Sequence, residues 1–233
     1  LQGHTVLGVT RRGKYILVQF GHGWLILHLG MSGSLRIVPK GTPYKKHDHI
    51  ELLFDTDQCL RLHDPRRFGA VLWTTTDPYE HKLLRDLGPE PLQRGFSGSY
   101  LYQLSRKRRQ AVKTFIMDSH TVVGVGNIYA NEALFQAGIH PGTPAGKVSL
   151  PRYNKLTACI KQTLKRAIRQ GGTTLRDFVN SDGNPGYFQQ TLNVYGRKGL
   201  PCKKCGQPIR QSILGQRATY YCKHCQRQSV VLH

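Results

Sequence analysis

Residues 5 to 75 carry short apolar runs separated by turn residues. TVLGV, YILVQF, WLILHL, SLRIV, HIELLF, CLRLH and AVLWTT are rich in Val, Ile, Leu and aromatics, and Gly, Pro, Asp or His break them apart. Alternation within each run is partial. That pattern suits strands buried on one face and partly covered on the other, and it predicts an antiparallel β-sandwich. The period changes at LGPEPL (Leu87 to Leu92), where two prolines and a glycine mark a linker. Beyond it the pattern is helical. Ser97 or Ser99 is positioned to cap a first helix, a second spans Ser105 to Met117, and a third spans Asn127 to Ala137. The clearest helix runs from Ser149 to Gln170, with Ser149 as N-cap, Pro151 in the first turn and Gly171-Gly172 as its stop. Tyr153, Leu156, Ile160, Leu164 and Ile168 form its apolar stripe. Its opposite face carries Lys155, Lys161, Lys165, Arg166 and Arg169, read as a solvated basic face. The fold class is therefore α+β. Residues 1–92 are read as an N-terminal sandwich that these strands alone do not close, 93–194 as a helical domain with a polar loop after residue 172, and 195–233 as a compact cysteine module.

Charge adds the first functional constraint. The 233 residues hold 34 Lys or Arg against 13 Asp or Glu, a net of +21, and beyond Ala133 the only acids are Asp177 and Asp182. Such a chain suits a polyanion, because basic side chains release the counterions condensed on phosphates. A generic basic surface, a membrane-surface protein and a ribosomal protein stay open on charge alone. A hydrophobic fraction of 39% fits a folded protein. No run of about 18 apolar residues exists, so no membrane partner is expected. LQGHTVLGVTRRGKY lacks the layout of a signal peptide, and a cytoplasmic setting is expected because the cysteine pattern suits an intracellular, reducing compartment.

Six cysteines are present. Cys59 and Cys159 stand alone in apolar segments and read as core residues. Cys202-Lys-Lys-Cys205 and Cys222-Lys-His-Cys225 are two knuckles with 16 residues between them. Two such knuckles complete a closed tetrahedral all-sulfur site, which is structural rather than catalytic. The competing reading is a pair of redox dithiols, and the acid-free, Lys-rich surroundings favour one Zn2+. Between the knuckles, PIRQSILGQRATYY reads as a hairpin turning at Leu214-Gly215-Gln216.

VVGVGNIYANEALFQAGIHP (Val122 to Pro141) is more specific. Gly124 and Gly126 permit close backbone approach, and the helix start at Asn127 offers backbone N–H groups to a phosphate. The basic run Arg106 to Arg109, with Lys113, adds charge. This stretch resembles the helix–two-turn–helix of the formamidopyrimidine-DNA glycosylase family. The resemblance covers practically the whole chain, in order: RRGKYIL, HLGMSGSLR, KHDH, DPRRFG, LGPEPL, QGGTTLRDF, DGNPGYF, VYGRKGLPC and QRATYYC.

The resemblance implies a bifunctional glycosylase/AP lyase of base-excision repair, acting as a monomer on duplex DNA that contains oxidised purines or abasic sites. It implies proton transfer at Lys14 and strand scission with phosphate binding at Arg217, at the tip of the zinc hairpin. It implies DNA contacts at His47, Arg66 and Arg109, and phosphate contacts at Lys113 and Asn127. Met31, Arg66 and Phe68 match the residues that fill the gap left by an extruded base. Extrusion costs a few kcal/mol of unstacking, which apolar wedges and a guanidinium partly recover. On pattern alone Met31 and Phe68 would be core residues. The stretch from Gly171-Gly172 through Tyr187 resembles the lid over the flipped base.

The family opens with Pro-Glu-Leu-Pro-Glu, whose terminal amine is the nucleophile. Here Leu1-Gln2-Gly3-His4 stands first; with Lys14, Met31, Arg66, Phe68 and Arg217 all in place, a piece of an active enzyme is favoured over a short non-excising protein, and the polypeptide as written is expected to excise no base efficiently and to give no borohydride-trapped complex at normal yield. Three alternatives remain open at this point: a non-catalytic relative that binds damaged DNA, an endonuclease VIII-like glycosylase, and a zinc-ribbon RNA-binding protein.

Overall fold

The computed structural model describes residues 1–172 and 192–227. The expected lid lies almost wholly outside them. The fold is α+β with antiparallel sheets. Among the described residues, 1–85 with 167–172 form one compact unit, and 86–166 with 192–227 form another.

The first unit holds seven strands, β1 Val6–Arg12, β2 Tyr15–Phe20, β3 Gly23–His28, β4 Ser34–Pro39, β5 Asp48–Leu53, β6 Gln58–His63 and β7 Ala70–Thr74. They lie within a residue or so of the expected apolar runs, except that β1 extends through Arg11 and Arg12. Two antiparallel sheets result, in the orders β1-β2-β3-β7 and β4-β6-β5. Val18, Phe20, Leu25 and Leu27 of the larger sheet pack with Leu35 and Leu52 of the smaller. Leu17 and Ile26, on the opposite face of β2 and β3, are buried too. Burial on both faces is why these central strands read as continuous apolar runs rather than alternating ones.

The second unit contains α1 Gly98–Ser105, α2 Val112–Met117, α3 Asn127–Ala137 and most of α4 Leu150–Arg169. Ser97 caps α1 by accepting a hydrogen bond from Tyr100 N. Gly138 ends α3 in the left-handed conformation, and Gly171 and Gly172, both at positive φ, close α4. The expected helix from Ser105 to Met117 is corrected: α1 ends at Ser105, and the new helix, α2, occupies only the second half of the span. Residues 108–111 instead run along 143–146, through Val112 N to Thr143 O (2.7 Å), Ala145 N to Gln110 O (2.8 Å) and Gly146 N to Arg108 O (2.9 Å). That pairing is non-local, so no local period announces it. The stripe on α4 is also corrected at its end. Tyr153, Leu156, Ile160 and Leu164 are buried, but Ile168 is 65% exposed. The final turn extends past Arg166, where the helical unit ends. LGPEPL packs with the helical unit: Gly88 N donates to Ser119 O and Val123 N to Pro89 O. Cys59 and Cys159 are both buried.

The cysteine module supplies β8 Arg210–Leu214 and β9 Arg217–Tyr221. Leu214 pairs with Arg217, so the turn is the two-residue Gly215-Gln216, both at positive φ, which is the type I′ hairpin geometry. Phe135 of α3 is buried with Val194, Cys202, Ile209 and Cys222, so module and helices share a core. No described helix is long and apolar enough to cross a membrane.

Candidate nucleic-acid interface and metal centre

In the sandwich unit, the β1–β2 turn is Gly13-Lys14, since Arg12 pairs with Tyr15. Gly13 takes φ +58°, as the first position of a type II′ turn requires. Lys14 therefore projects, exposed, from a hairpin tip. His28 lies near it: burial, and then the charge of Lys14, push its pKa down.

The loop after β3 is fixed to the loop before β7. Gly30 sits at φ +62°, and a Cβ there would come within 2.7 Å of Phe68 C. Arg66 Nε donates to Ser32 Oγ at 3.0 Å. Asp64 caps its own loop, accepting from Gly69 N at 2.7 Å. Held this way, Met31 and Phe68 are 61% and 63% exposed, with the Arg66 guanidinium 5.9 Å from the Phe68 ring centre. The core reading that pattern alone suggests for both residues is therefore overturned. Two adjacent loops present an exposed thioether, an exposed ring and a guanidinium together.

The KHDH loop rests on a buried charge network. Arg61, 2% exposed, donates through Nε to Glu51 Oε2 at 2.7 Å and through Nη1 and Nη2 to Pro43 O and Thr42 O. Asp48 accepts from Lys45 N, Arg36 and His63. Burial opposes ionisation of Asp48, but those hydrogen bonds and positive charges outweigh it and lower its pKa. His47 stands half-exposed at φ +77° on this base. Burial, and then Lys46, His49, His63 and Arg67, lower its pKa.

In the helical unit, Arg109 is exposed. Arg106 is not available as a bare cation. Its guanidinium donates to the carbonyls of Tyr102, Gly146 and Val148. Asn127 is the first residue of α3, whose N-cap, Gly126, adds no side-chain cap. Lys113 is only 1% exposed, and burial together with the charge of Arg217 lowers its pKa to about 8. Arg217 is exposed at the hairpin tip.

The four cysteines converge. Their sulfurs all lie within 4.8 Å of one another, with Cys202 to Cys225 at 3.9 Å and Cys205 to Cys222 at 3.5 Å. Tetrahedral coordination at about 2.3 Å per Zn–S bond needs S···S separations of about 3.8 Å, so the set fits one structural zinc ion. Lys204 N and Cys225 N point at the sulfurs of Cys202 and Cys222, as knuckle amides do. Gln226 anchors the second knuckle: its Oε1 accepts from Cys222 N and its Nε2 donates to Ile139 O.

Several supporting residues carry no sequence signal of their own. Ser32 and Asp64 set the loops that carry Met31, Arg66 and Phe68. Glu132, 1% exposed, accepts N–H bonds from Asn193, Val194 and Tyr195 and so fixes the entry to the zinc module. Asn131 Oδ1 accepts from Tyr220 N at 2.7 Å. Only the resemblance, not composition or period, could have pointed to any of them.

Comparisons with known proteins bear on the same regions. Residues 1–71 match the formamidopyrimidine-DNA glycosylase N-terminal domain, 87–179 the formamidopyrimidine-DNA glycosylase H2TH domain, and 199–228 a zinc finger found in FPG and IleRS. The formamidopyrimidine-DNA glycosylase of Methylococcus capsulatus is 61% identical over 227 residues, covering 97% of this chain and 84% of the relative. That of Thioalkalivibrio sulfidiphilus is 58% identical with the same coverage. Among solved structures, MutM (Fpg) from Thermus thermophilus superposes with a TM-score of 0.88 at 36% identity, covering 97% of this chain and 85% of that one. Lactococcus lactis Fpg in complex with DNA containing an abasic site gives 0.90 at 33% identity, covering 98% and 84%.

Proposed function

The chain belongs to the formamidopyrimidine-DNA glycosylase family of base-excision repair enzymes, and from that premise we propose that it recognises oxidised purines, 8-oxoguanine and formamidopyrimidines, in duplex DNA for excision and nicking of the abasic site. The observation that carries this reading is the outward presentation of Met31, Arg66 and Phe68 on two interlocked loops. A soluble protein has no packing reason to hold a thioether and a phenyl ring in water beside a guanidinium. A duplex with one nucleotide turned out offers all three a place: the apolar groups replace lost stacking, and the guanidinium pairs with the orphaned base.

Lys14 serves as the proton-transfer residue for the departing base, and Arg217 holds the phosphate beside the reacting sugar. His47 and Arg109 contact the DNA backbone, and Asn127 seats a phosphate at the start of α3, where backbone N–H groups favour an anion. One structural zinc ion keeps the two-stranded hairpin rigid, so Arg217 is delivered at a fixed position. The protein acts as a monomer in the bacterial cytoplasm, associated with the nucleoid through its DNA. The net charge of +21 supports DNA over a neutral partner.

The test is competition binding. Duplexes carrying 8-oxoguanine, a formamidopyrimidine, an oxidised pyrimidine or no lesion compete for the zinc-loaded chain. The purine lesions should compete best. A preference for the oxidised pyrimidine would favour the endonuclease VIII-like alternative, and no preference at all would overturn the reading.

A further inference from the structure

A lysine that grips DNA needs its ammonium in solvent, and Lys113 does not have it there. The side chain rises from α2 into the seam between α2, α3 and β9, where the residue is 1% exposed. Its Nζ donates to Thr219 Oγ1 at 2.7 Å and to Ala218 O at 3.1 Å. Thr219 Oγ1 in turn donates to Arg217 O at 3.1 Å. A continuous hydrogen-bonded path thus runs from the Lys113 ammonium to the main chain of Arg217. Two further bonds brace the same strand: Asn127 Nδ2 to Ala218 O at 3.1 Å, and Tyr220 N to Asn131 Oδ1 at 2.7 Å. Gln216, just before Arg217, holds the left-handed conformation of the second position of the type I′ turn.

We propose that Lys113 is a positioning residue rather than a phosphate ligand: through Thr219 and Ala218 it fixes the zinc hairpin on α2 and α3 so that Arg217 meets the DNA. The inference deepens the proposed function and rests on Arg217 being the hairpin's DNA contact. Zinc and the lysine then divide the work. The metal closes the base of the hairpin, and the polar seam sets where its returning strand lies. Burying an ammonium costs free energy unless it is well bonded, and a seam that must hold one fixed register justifies that cost.

The test is a double-mutant cycle on binding to a duplex with an abasic-site analogue, using the zinc-loaded chain. Lys113→Met and Arg217→Ala should each weaken binding about tenfold. The double variant should be within about twofold of either single one, because Lys113 acts only through Arg217. The slope of log Kd against log salt should fall by about 0.9 in each single variant and by no more in the double. Bound zinc should remain one per chain in all of them. Thr219→Val, which removes the hydroxyl relay with little change of shape, should reproduce part of the Lys113→Met loss. Additive losses near a hundredfold, with the slope falling by about 1.8, would show a direct phosphate contact and overturn the proposal. Loss of zinc or of the fold in Lys113→Met, with Thr219→Val and Arg217→Ala additive, would overturn it as well. A wild-type chain that binds intact and abasic duplexes alike would defeat the proposed function instead, while the cycle on the intact duplex still tests the seam.

Discussion

At the scale of single residues, the decisive quantity is where a polar or apolar group ends up relative to water. Met31 and Phe68 are exposed, so truncating them removes no core contact. Met31→Ala and Phe68→Ala should change unfolding free energy by less than about 0.5 kcal/mol, while each should reduce the preference for a duplex lacking one base, read by titration against an intact duplex. A stability loss as large as that of a core truncation would assign them to packing instead. Lys113 behaves oppositely. Its pKa falls from 10.5 to about 8 in the folded chain. Between about pH 8 and pH 10.5 the unfolded chain therefore holds more protons than the folded one, so its contribution to stability rises with pH through that window. Denaturant titrations at about pH 7.5 and about pH 10 should show this rise in the wild type and a smaller one in Lys113→Met. An identical rise in both would place the titration elsewhere. Glu132 is the third case. Its carboxylate accepts from three consecutive backbone amides, so Glu132→Ala should cost roughly 2–3 kcal/mol by leaving buried donors unpaired.

At the scale of elements, loops fixed by non-local contacts do the positioning. Gly30 illustrates the tolerance. A methyl group there meets both a positive φ and the backbone of Phe68 at 2.7 Å. Gly30→Ala should therefore separate the Met31 and Phe68 loops and lower lesion preference, with far-UV circular dichroism nearly unchanged; unaltered preference would mean that the loops act independently. What the sequence makes legible follows from the same distinction. Strands β1 to β7, helices α3 and α4, and the cysteine spacing are encoded locally by period, caps and knuckle geometry, and they emerge almost in place. The break ahead of α2 is not legible, because residues 108–111 exchange helical bonds for a partner more than thirty residues away. Lys113, Glu132 and Asn131 are likewise illegible as supports, since a charged or polar residue reads as solvated until the fold surrounds it. Met31 and Phe68 show the converse: only the family resemblance separates them from core residues.

At the scale of the whole molecule, each compact unit contributes its own equipment. The sandwich unit carries Lys14, His47, Met31, Arg66 and Phe68, and the helical unit carries Arg109, Asn127, the cysteine centre and Arg217. The excess of positive charge makes attachment to any duplex easy, so attachment alone says little about function. On the proposed function this chain prefers one defect in the duplex, and that preference should need the loops that carry Met31, Arg66 and Phe68. The most direct measurement is the ratio of dissociation constants for intact and abasic-analogue duplexes at two salt concentrations, for the wild type and for the Met31→Ala, Arg66→Ala, Phe68→Ala triple variant. The expected result is at least about a tenfold ratio in the wild type, with salt weakening both complexes steeply, and a ratio near one in the triple variant. Equal, salt-insensitive binding of both duplexes by the wild type, or an undiminished ratio in the triple variant, would contradict the account.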